Sequence, residues 1–307
     1  MNVSVLTISP PVMGSSLPIP DDLVFEIFSR LPSKAIARCR CVSKLLASML
    51  RSHYFTELFL TKSCARPQLL FAFEDDSEVV FFSSPQPENP EENSYVLAAN
   101  QLARIPSSYG LSAPTRTEKL SWRLVECSIP HCPSTKWICI NGVLYYTATA
   151  GYWSSMVVCF DFKSEKFSFV NFMEASGKEM HGSTTLINYN GKLGLLMSED
   201  TGYDYICGAS KSLELWVLRD AGKNEWSEHV YVLPPSWEDV VSAMSISGMV
   251  GTNEIVLAPL FRNVPPYVIY YNVERKTITK VGIQVMEALQ GKRFYTFLNY
   301  VEDVKFL

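Results

Sequence analysis

Short β-type runs separated by turn residues dominate the chain beyond residue 60, and they constrain its fold more than any other feature of the sequence. Asn141-Gly142 stands between "WICI" and "VLYYT", and Asn190-Gly191 stands between "TTLINY" and "LGLLM". Asn and Gly both tolerate the positive φ that a type I′ turn requires, so each pair predicts a β-hairpin. Further hairpins are predicted where similar runs flank residues 74–78, 163–165, 222 and 274–276.

The predicted hairpins recur at a nearly constant spacing. The two Asn-Gly pairs lie 49 residues apart, and comparable second hairpins begin at Phe160, Val217 and Tyr271, with separations of 57 and 54 residues. A repeat of about 50 residues with about four strands is typical of kelch-like propeller blades. The double glycine of kelch repeats is absent, so the match concerns spacing alone. We therefore predict a mainly antiparallel, propeller-like β domain with about three blades.

A second region, "LPIPDDLVFEIFSRLPSKAIARCRCVSKLLASML" at residues 17–50, has a helical pattern. Leu23, Ile27 and Leu31 recur at intervals of four. Pro20 and the two carboxylates that follow it are typical of a helix start, because proline suits the first turn and carboxylates favour the positive end of the helix dipole. The region therefore begins with an amphipathic helix.

Ser33 and Ser43 suit the N-caps of two further helices, which gives a helical cluster over residues 17–60. A cluster of about 40 residues lies near the lower size limit of an autonomous core. Its apolar rows occupy more than one face, so they need cover from the rest of this chain or from a partner protein. The pattern alone leaves both explanations open.

The same region resembles the F-box motif. It follows the pattern L-P-x-x-D-L-V-x-E-I-F-x-R-L-P-x-K-x-I-x-R-C-R-x-V-S-K at Leu17, Pro18, Asp22, Leu23, Val24, Glu26, Ile27, Phe28, Arg30, Leu31, Pro32, Lys34, Ile36, Arg38, Cys39, Arg40, Val42, Ser43 and Lys44. The resemblance implies a helical module that binds a Skp-type adaptor and, through it, the cullin and RING subunits of an SCF-type ubiquitin ligase. F-boxes often have tryptophan where this chain has Leu46, and the smaller contact area implies weaker adaptor binding.

The resemblance also supplies candidate residues for the adaptor interface. They are Leu17, Pro18, Leu23, Ile27, Leu31, Pro32, Ile36, Val42 and Leu46. The sequence does not divide these positions between the helical core and the adaptor surface. The basic residues Arg38, Arg40 and Lys44 are expected to face either an acidic partner or solvent.

The β-type region resembles the plant F-box-associated interaction domain. The resemblance rests on "RPQLLFAFEDDSEVVFFSSPQ", "TEKLSWRLVECSIPHCP", "ICINGVLYYTA", "VVCFDFKSEKFSFV", "NYNGKLGLL" and "LELWVLRDAGKNEWS". Between Gln86 and Arg116 this family usually has a Gly-Leu strand, a C-N-P-x-T turn and a G-[FY]-D-P hairpin, none of which occurs here. We therefore expect residues 85–117 to form a loop-like tract, and the propeller to lack about one to one and a half blades.

Together these patterns predict an α+β multidomain protein, with a small helical F-box followed by a mainly antiparallel, propeller-like and incomplete β domain. The expected boundaries are a disordered tail at residues 1–16, the F-box at 17–63 and the β domain at 64–307. The net charge of -4 and the scattered Lys and Arg argue against nucleic acid as a partner. No run approaches the roughly 18 apolar residues of a membrane span and no secretory signal is recognisable, so we expect a cytoplasmic or nuclear protein.

Motifs of catalytic chemistry are absent from the sequence. It contains no nucleophile elbow, P-loop, dinucleotide fingerprint or H-E-x-x-H. Asp75-Asp76 and Glu199-Asp200 fall in predicted turns, where solvated carboxylates are common. The eight cysteines contain no C-x-x-C, and we expect reduced thiols; Cys127, His131 and Cys132 are the one group with metal-ligand character. We predict a non-catalytic chain without a cofactor.

The resemblances imply substrate recognition in an SCF-type cullin-RING ubiquitin ligase, with the adaptor on the F-box and an unidentified protein substrate on the β domain. Two alternatives stay open: a ligand-binding, lectin-like β domain with helices packed in cis, and a shortened paralogue that binds the adaptor but no substrate. Aromatic residues are candidate substrate anchors, although most are expected in the core. These are Trp122, Trp137, Tyr145, Tyr146, Trp153, Trp216, Trp226 and Trp237.

Overall fold

The computed structural model describes residues 19–87, 90–91, 94–97, 100–106, 124–151, 154–199, 205–261 and 264–305. The predicted disordered tail and the interface candidates Leu17 and Pro18 lie outside these ranges. The chain divides into two compact units. The helical unit comprises Met1–Leu70, Ser83–Gln86 and Asn299–Leu307, and the β unit comprises Phe71–Phe82 and Pro87–Leu298.

Four helices make up most of the helical unit: α1 (Asp21–Phe28), α2 (Ser33–Arg40), α3 (Lys44–Leu50) and α4 (His53–Cys64). The predicted cap of α3 is confirmed, since the Ser43 hydroxyl accepts a hydrogen bond from the Leu46 N–H at 3.1 Å. The predicted cap of α2 is wrong, because Pro32 occupies the N-cap and Ser33 is already the first helical residue. Helix α2 therefore has no side-chain cap from its own N-cap residue.

The core of the helical unit combines all four helices with one residue from the end of the chain. Its buried members are Val24, Phe25, Ile36, Met49, Leu50, Phe55, Phe59 and Val304. The ring of Phe25 lies 5.3 Å from the ring of Tyr54 and 6.0 Å from that of Phe55, measured between centroids. The helices are thus held by a shared aromatic and aliphatic core rather than by contacts between neighbouring pairs alone.

The described strands are β1 (Gln68–Asp75), β2 (Glu78–Pro85), β3 (Tyr95–Leu97), β4 (Asn100–Pro106), β5 (Cys132–Ile140), β6 (Val143–Ala150), β7 (Ser154–Asp161), β8 (Lys166–Val170), β9 (Thr185–Tyr189), β10 (Lys192–Ser198), β11 (Ser212–Asp220), β12 (Glu225–Val232), β13 (Met244–Val250), β14 (Glu254–Pro259), β15 (Tyr267–Asn272), β16 (Thr277–Gln284) and β17 (Phe294–Tyr300). They form four sheets, with the orders β17-β1-β2-β4, β5-β6-β7-β8, β9-β10-β11-β12 and β13-β14-β15-β16-β3. Strand β3 joins the last sheet in parallel with β16, whereas the pairs within the three sheets from β5 to β16 are antiparallel.

The four sheets are the blades of a propeller-like β domain, which confirms the predicted mainly antiparallel, propeller-like fold. The first strands of three blades, β5, β9 and β13, pack beside one another. Because neighbouring residues of a strand point to opposite faces, β11 serves two cores: Trp216 packs with Val157 of one neighbouring blade, and Leu215 packs with Ile255 of the other. The number of blades exceeds the predicted three, because the turn pattern does not reveal β13, β14 or β17.

All six predicted hairpins are present, and the two Asn-Gly turns have the predicted backbone. Asn141 and Gly142 have φ values of 51° and 80°, and Asn190 and Gly191 have 51° and 77°. Positive φ at both central residues matches the right-handed twist of the flanking strands. The turn β5–β6 and the turn β9–β10 therefore follow directly from the local sequence.

The tract at residues 85–117 contains structure that its sequence does not predict. Strand β3 pairs with β16, and β4 lies beside β2 in the first sheet. The loop prediction is wrong for these two strands, because partners distant in sequence supply the ladder that local composition does not signal. Residues 107–117 lie outside the described part of the chain.

Three short helices connect strands in the described part of the β unit: α5 (Phe172–Ser176), α6 (Trp237–Val240) and a 3₁₀ helix at Glu287–Leu289. Among the described residues, no helix has both the length and the apolar character to cross a membrane.

Candidate adaptor interface

Exposed apolar side chains form one group of the interface candidates. Leu23 and Ile27 stand one helical turn apart on α1, with 51% and 55% of their surfaces exposed. Val42, just after α2, is 73% exposed. Val24 and Phe25 point the opposite way into the core, so α1 uses two apolar faces. Only one of these faces is covered by the helical unit.

The other candidates lie deeper. Ile36 is 0% exposed and belongs to the core, while Leu31 packs against that core from a half-buried position. Leu46 is also half-buried, and Pro32 is exposed. Ile36 therefore holds the helices together and is not available to a partner. The structure makes this division between core and surface, which the sequence pattern does not.

An ion pair between Glu26 and Lys62 links α1 to α4 within the helical unit. The Glu26 carboxylate accepts hydrogen bonds from Arg30 at 2.6 Å and from Lys62 of α4 at 3.2 Å. These two hydrogen bonds, that from Arg30 first, hold the pKa of Glu26 below its usual value. Arg38 and Lys44, four residues before and two residues after Val42 in the sequence, are both exposed.

Arg40 departs from the expected surface position. Its guanidinium is buried and donates to the backbone carbonyl of Leu50 at 2.6 Å and to that of Val304 at 2.9 Å. Burial, followed by the nearby charge of Arg51, lowers the pKa of Arg40. The prediction that Arg40 faces solvent or an acidic partner is therefore wrong, because the planar guanidinium satisfies backbone carbonyls inside the helical unit.

The helical unit also contains residues from the end of the chain that sequence reasoning missed. Glu302 accepts hydrogen bonds from the Ser33 hydroxyl at 2.9 Å and from the Ser33 N–H at 3.3 Å. Val304 is 0% exposed within the core. Glu302 is charged like the exposed Asp303, so the sequence around Val304 has no apolar alternation that would indicate this contact.

Most of the aromatic candidates for a substrate site are structural. Trp216 and Trp237 are buried in the cores between blades, and Trp226 packs against the same interior. Trp137 on β5 is 69% exposed and stays a candidate anchor. The remaining members of the set divide as follows: Tyr145 and Tyr146 are half-buried, and Trp122 and Trp153 lie outside the described residues.

The group with metal-ligand character is not arranged as a metal site. His131 Nδ1 lies 3.8 Å from the Cys127 sulfur but 2.8 Å from the Ile129 carbonyl oxygen, and Nε2 lies 2.7 Å from the Tyr146 hydroxyl. Both ring nitrogens therefore already have oxygen partners. Within the described ranges no cluster of three or more His, Cys, Asp or Glu side chains has a metal-binding arrangement.

The adjacent carboxylates at the β1–β2 turn form ion pairs. Lys292 Nζ lies 3.2 Å from Asp75 and 2.8 Å from Asp76, and these hydrogen bonds raise the pKa of Lys292, with that from Asp76 as the larger contribution. The Glu199 carboxylate accepts a hydrogen bond from the Ser212 hydroxyl, and Asp200 lies outside the described residues. Asp75 and Asp76 thus bind one lysine and do not form a paired acid and base.

Two protein-family models match the chain, one in the helical region and one in the β region. An F-box domain model matches residues 17–58, and an F-box associated beta propeller domain model matches residues 114–301. The chain therefore belongs to the family of F-box proteins that carry an F-box-associated β-propeller domain.

Individual relatives come from Arabidopsis thaliana. The F-box protein DOR is 43% identical, with 94% of this chain and 94% of that protein aligned. The F-box protein At5g65850 is 41% identical, with 97% of this chain and 93% of that protein aligned. The putative F-box protein At2g19630 is 45% identical, with 95% of each chain aligned. The similarity thus extends over both units and places the chain among plant F-box proteins.

The lengths of these alignments differ. The alignments with DOR and At5g65850 run over 375 and 369 residues, more than the 307 residues of this chain, so both relatives carry segments that this chain lacks. The alignment with At2g19630 runs over only 298 residues. A shorter form of the architecture therefore occurs in another plant protein as well. That the missing segments fall within residues 85–117 stays a prediction.

Proposed function

We propose that this chain is the substrate-recognition subunit of an SCF-type cullin-RING ubiquitin ligase. In this role the F-box binds a Skp-type adaptor, the adaptor connects the chain to cullin and RING subunits, and the β unit binds an unidentified protein substrate. Ubiquitin transfer is carried out by the partners, so the proposal assigns no catalytic group and no cofactor to this chain. It assigns the chain to the cytoplasm, the nucleus or both.

One observation carries the proposal: the helical unit has a complete core and still exposes large apolar side chains on the matched F-box. Leu23, Ile27 and Val42 are each more than half exposed, while Ile36 and its neighbours fill the interior. Aliphatic side chains grouped on a surface are typical of a protein-binding site. The lectin-like alternative requires these side chains to be covered in cis, and they are exposed.

The proposed mechanism is one of positioning. A substrate held on the β unit is kept near the ubiquitin-charged enzyme that the cullin and RING subunits supply. Tethering converts an encounter between two separate molecules into an intramolecular one and raises the effective concentration of the substrate. The chain accelerates transfer without taking part in the bond-making step.

The adaptor interface is tested by a double substitution, Leu23→Ala with Ile27→Ala, in the full chain. Both side chains are exposed, so their truncation leaves the helical core intact. Adaptor affinity is expected to fall by at least about thirtyfold, or about 2 kcal/mol, if these are interface anchors. Binding is measured by calorimetry with a purified Skp-type adaptor, and folding by circular dichroism.

The matched control is Val230→Ala with Val232→Ala on β12, where both valines are also more than half exposed. It removes a similar exposed aliphatic area from the β unit, and adaptor affinity is expected to stay unchanged. Equal affinity for the wild-type chain and the folded α1 double variant would overturn the proposed interface.

A second measurement separates the proposal from a non-productive paralogue. The chain is assembled with adaptor, cullin, RING subunit and charged ubiquitin enzyme, and a plant extract supplies proteins for binding. A productive receptor is expected to enrich a ubiquitinated bound protein, and the Leu23→Ala, Ile27→Ala variant is expected to lose that product. Adaptor binding without any ubiquitinated product would favour the paralogue.

A further inference from the structure

The C-terminal segment, residues 299–305, belongs to the helical unit although it is distant from the helices in sequence. Its first residue is fixed by a reciprocal pair of hydrogen bonds. The Gln86 side-chain amide donates to Asn299 Oδ1 at 3.0 Å, and the Asn299 N–H donates to Gln86 Oε1 at 2.9 Å. The segment is therefore anchored before it reaches the F-box helices.

Beyond this anchor, alternate residues of the segment contact the two ends of α2. Glu302 accepts hydrogen bonds from Ser33, the first residue of the helix. Val304 accepts a hydrogen bond through its carbonyl from Arg40, the last residue, and its side chain lies in the same buried core as Ile36. The segment thus contacts both ends of α2 and shares a core with its inner face.

These contacts supply what α2 lacks by itself. A helix of eight residues is too short to be stable in isolation, and α2 has no side-chain cap from its own N-cap residue. The Glu302 carboxylate satisfies the Ser33 N–H and places negative charge at the positive end of the helix dipole. At the other end, Arg40 ties the segment to the carbonyl of Leu50, the last residue of α3.

Helix α2 lies directly before Val42, one of the exposed apolar residues of the adaptor surface. We propose that the C-terminal segment positions α2, and with it Val42, for adaptor binding, so that the F-box of this chain is complete only with residues 299–305. This inference rests on the proposed function, because it assigns Glu302 and Val304 as positioning residues for the adaptor site.

The test compares two double variants of the full chain. Glu302→Ala with Val304→Ala removes the carboxylate that accepts from Ser33 and most of the buried Val304 side chain, while the Val304 carbonyl that accepts from Arg40 remains. Asp303→Ala with Lys305→Ala removes their exposed neighbours as the matched control. Adaptor affinity is expected to fall at least tenfold in the first variant and to stay within twofold of wild type in the second. Amide hydrogen exchange is expected to accelerate in α2 of the first variant and to stay unchanged in β9–β12.

A milder variant keeps the test decisive if the first one unfolds the helices. Glu302→Gln retains an oxygen that accepts from Ser33 but removes the negative charge, so an intermediate loss of adaptor affinity, about threefold, is expected. Unchanged adaptor affinity in a chain whose α2 exchanges faster would show that the segment stabilises the helix without positioning the site, and would overturn the inference. So would unchanged affinity and unchanged exchange together.

The failure of this inference differs from the failure of the proposed function. If the wild-type chain binds no Skp-type adaptor, the proposed function fails, and with it the positioning role. If the wild-type chain binds the adaptor and both double variants bind it equally well, the proposed function stands and only the role of the C-terminal segment is lost.

Discussion

Burial controls the acid–base chemistry of several side chains in the β unit. It raises the pKa of the Cys159 thiol to about 11, against a smaller lowering by the hydrogen bond with Ser168. It also raises the pKa of Tyr231 to about 12, with a further contribution from Tyr189. In each case the apolar surroundings favour the neutral form, as expected between packed blades.

Cys159 is therefore expected to resist alkylation in the folded protein. At pH 8 a thiol with a pKa near 11 is a thiolate in about one molecule per thousand, and only the thiolate reacts. With iodoacetamide at pH 8, we expect Cys41, Cys64, Cys132 and Cys139, which are all exposed, to react first. Mass spectrometry of tryptic peptides measures each rate, and modification of Cys159 as fast as of Cys139 would contradict the prediction. In urea the two thiols are expected to react alike.

At this scale the sequence identifies the right helices but not the role of each residue. Leu23, Ile27 and Ile36 all satisfy the F-box pattern, yet two are exposed and one is wholly buried. Arginine is usually a surface residue, yet Arg40 is buried, because two backbone carbonyls accept hydrogen bonds from its guanidinium. The choice between a core role and a surface role depends on which other residues pack nearby in the folded chain. A helical pattern predicts the face that a residue occupies but not what covers that face.

Among the elements, the Asn-Gly hairpins show how far a local signal extends. Gly142 has a φ of 80°, and a Cβ added to it meets nothing within 4 Å. Its conformation alone, and not any close contact, therefore requires glycine. Gly222 in the β11–β12 turn has no such positive φ, and its added Cβ meets only the Asp220 carboxylate at 3.3 Å.

The substitution Gly142→Ala is expected to lower the free energy of unfolding of the β unit by about 1 kcal/mol, because alanine is strained at positive φ. Gly222→Ala provides the control, and its effect is expected to lie within about 0.5 kcal/mol of zero or to be slightly stabilising. Urea unfolding followed by tryptophan fluorescence measures both. Equal unfolding midpoints for the two variants would show that backbone conformation at Gly142 does not limit stability.

Sequence separation explains why some strands are predicted and others are not. Six hairpins follow from turn residues and the runs beside them, because turn and strands are adjacent in the chain. Strands β3 and β17 have partners far away in sequence: β3 pairs with β16 in parallel, and β17 lies beside β1. No local pattern records such a pairing, since strand propensity depends on the neighbours that the fold supplies. The hairpin β13–β14 is local and is still missed, so adjacency alone does not ensure a recognisable signal.

In the whole molecule, one blade combines the first and the last described strands. The other blades contain strands that are mainly consecutive, but the first sheet has the order β17-β1-β2-β4. Phe294, the first residue of β17, stacks on Phe73 of β1 with centroids 5.3 Å apart and lies edge-on to Phe71 at 6.3 Å. This blade cannot form until β17 has been synthesised, so its assembly depends on contacts of high sequence separation.

The packing of the Phe294 ring should therefore contribute much of the free energy that holds β17 beside β1. Phe294 is buried, whereas Phe297 on the same strand is about half exposed, so the two residues form a matched pair. We expect Phe294→Ala to lower the free energy of unfolding of the β unit by about 3–5 kcal/mol, because it leaves a cavity against Phe71 and Phe73. Phe297→Ala is expected to cost less than about 1 kcal/mol. Denaturant unfolding gives both values. Hydrogen exchange in β1 shows whether structure is lost first in the sheet β17-β1-β2-β4. If both variants unfold at the same denaturant concentration, β17 does not hold this blade together.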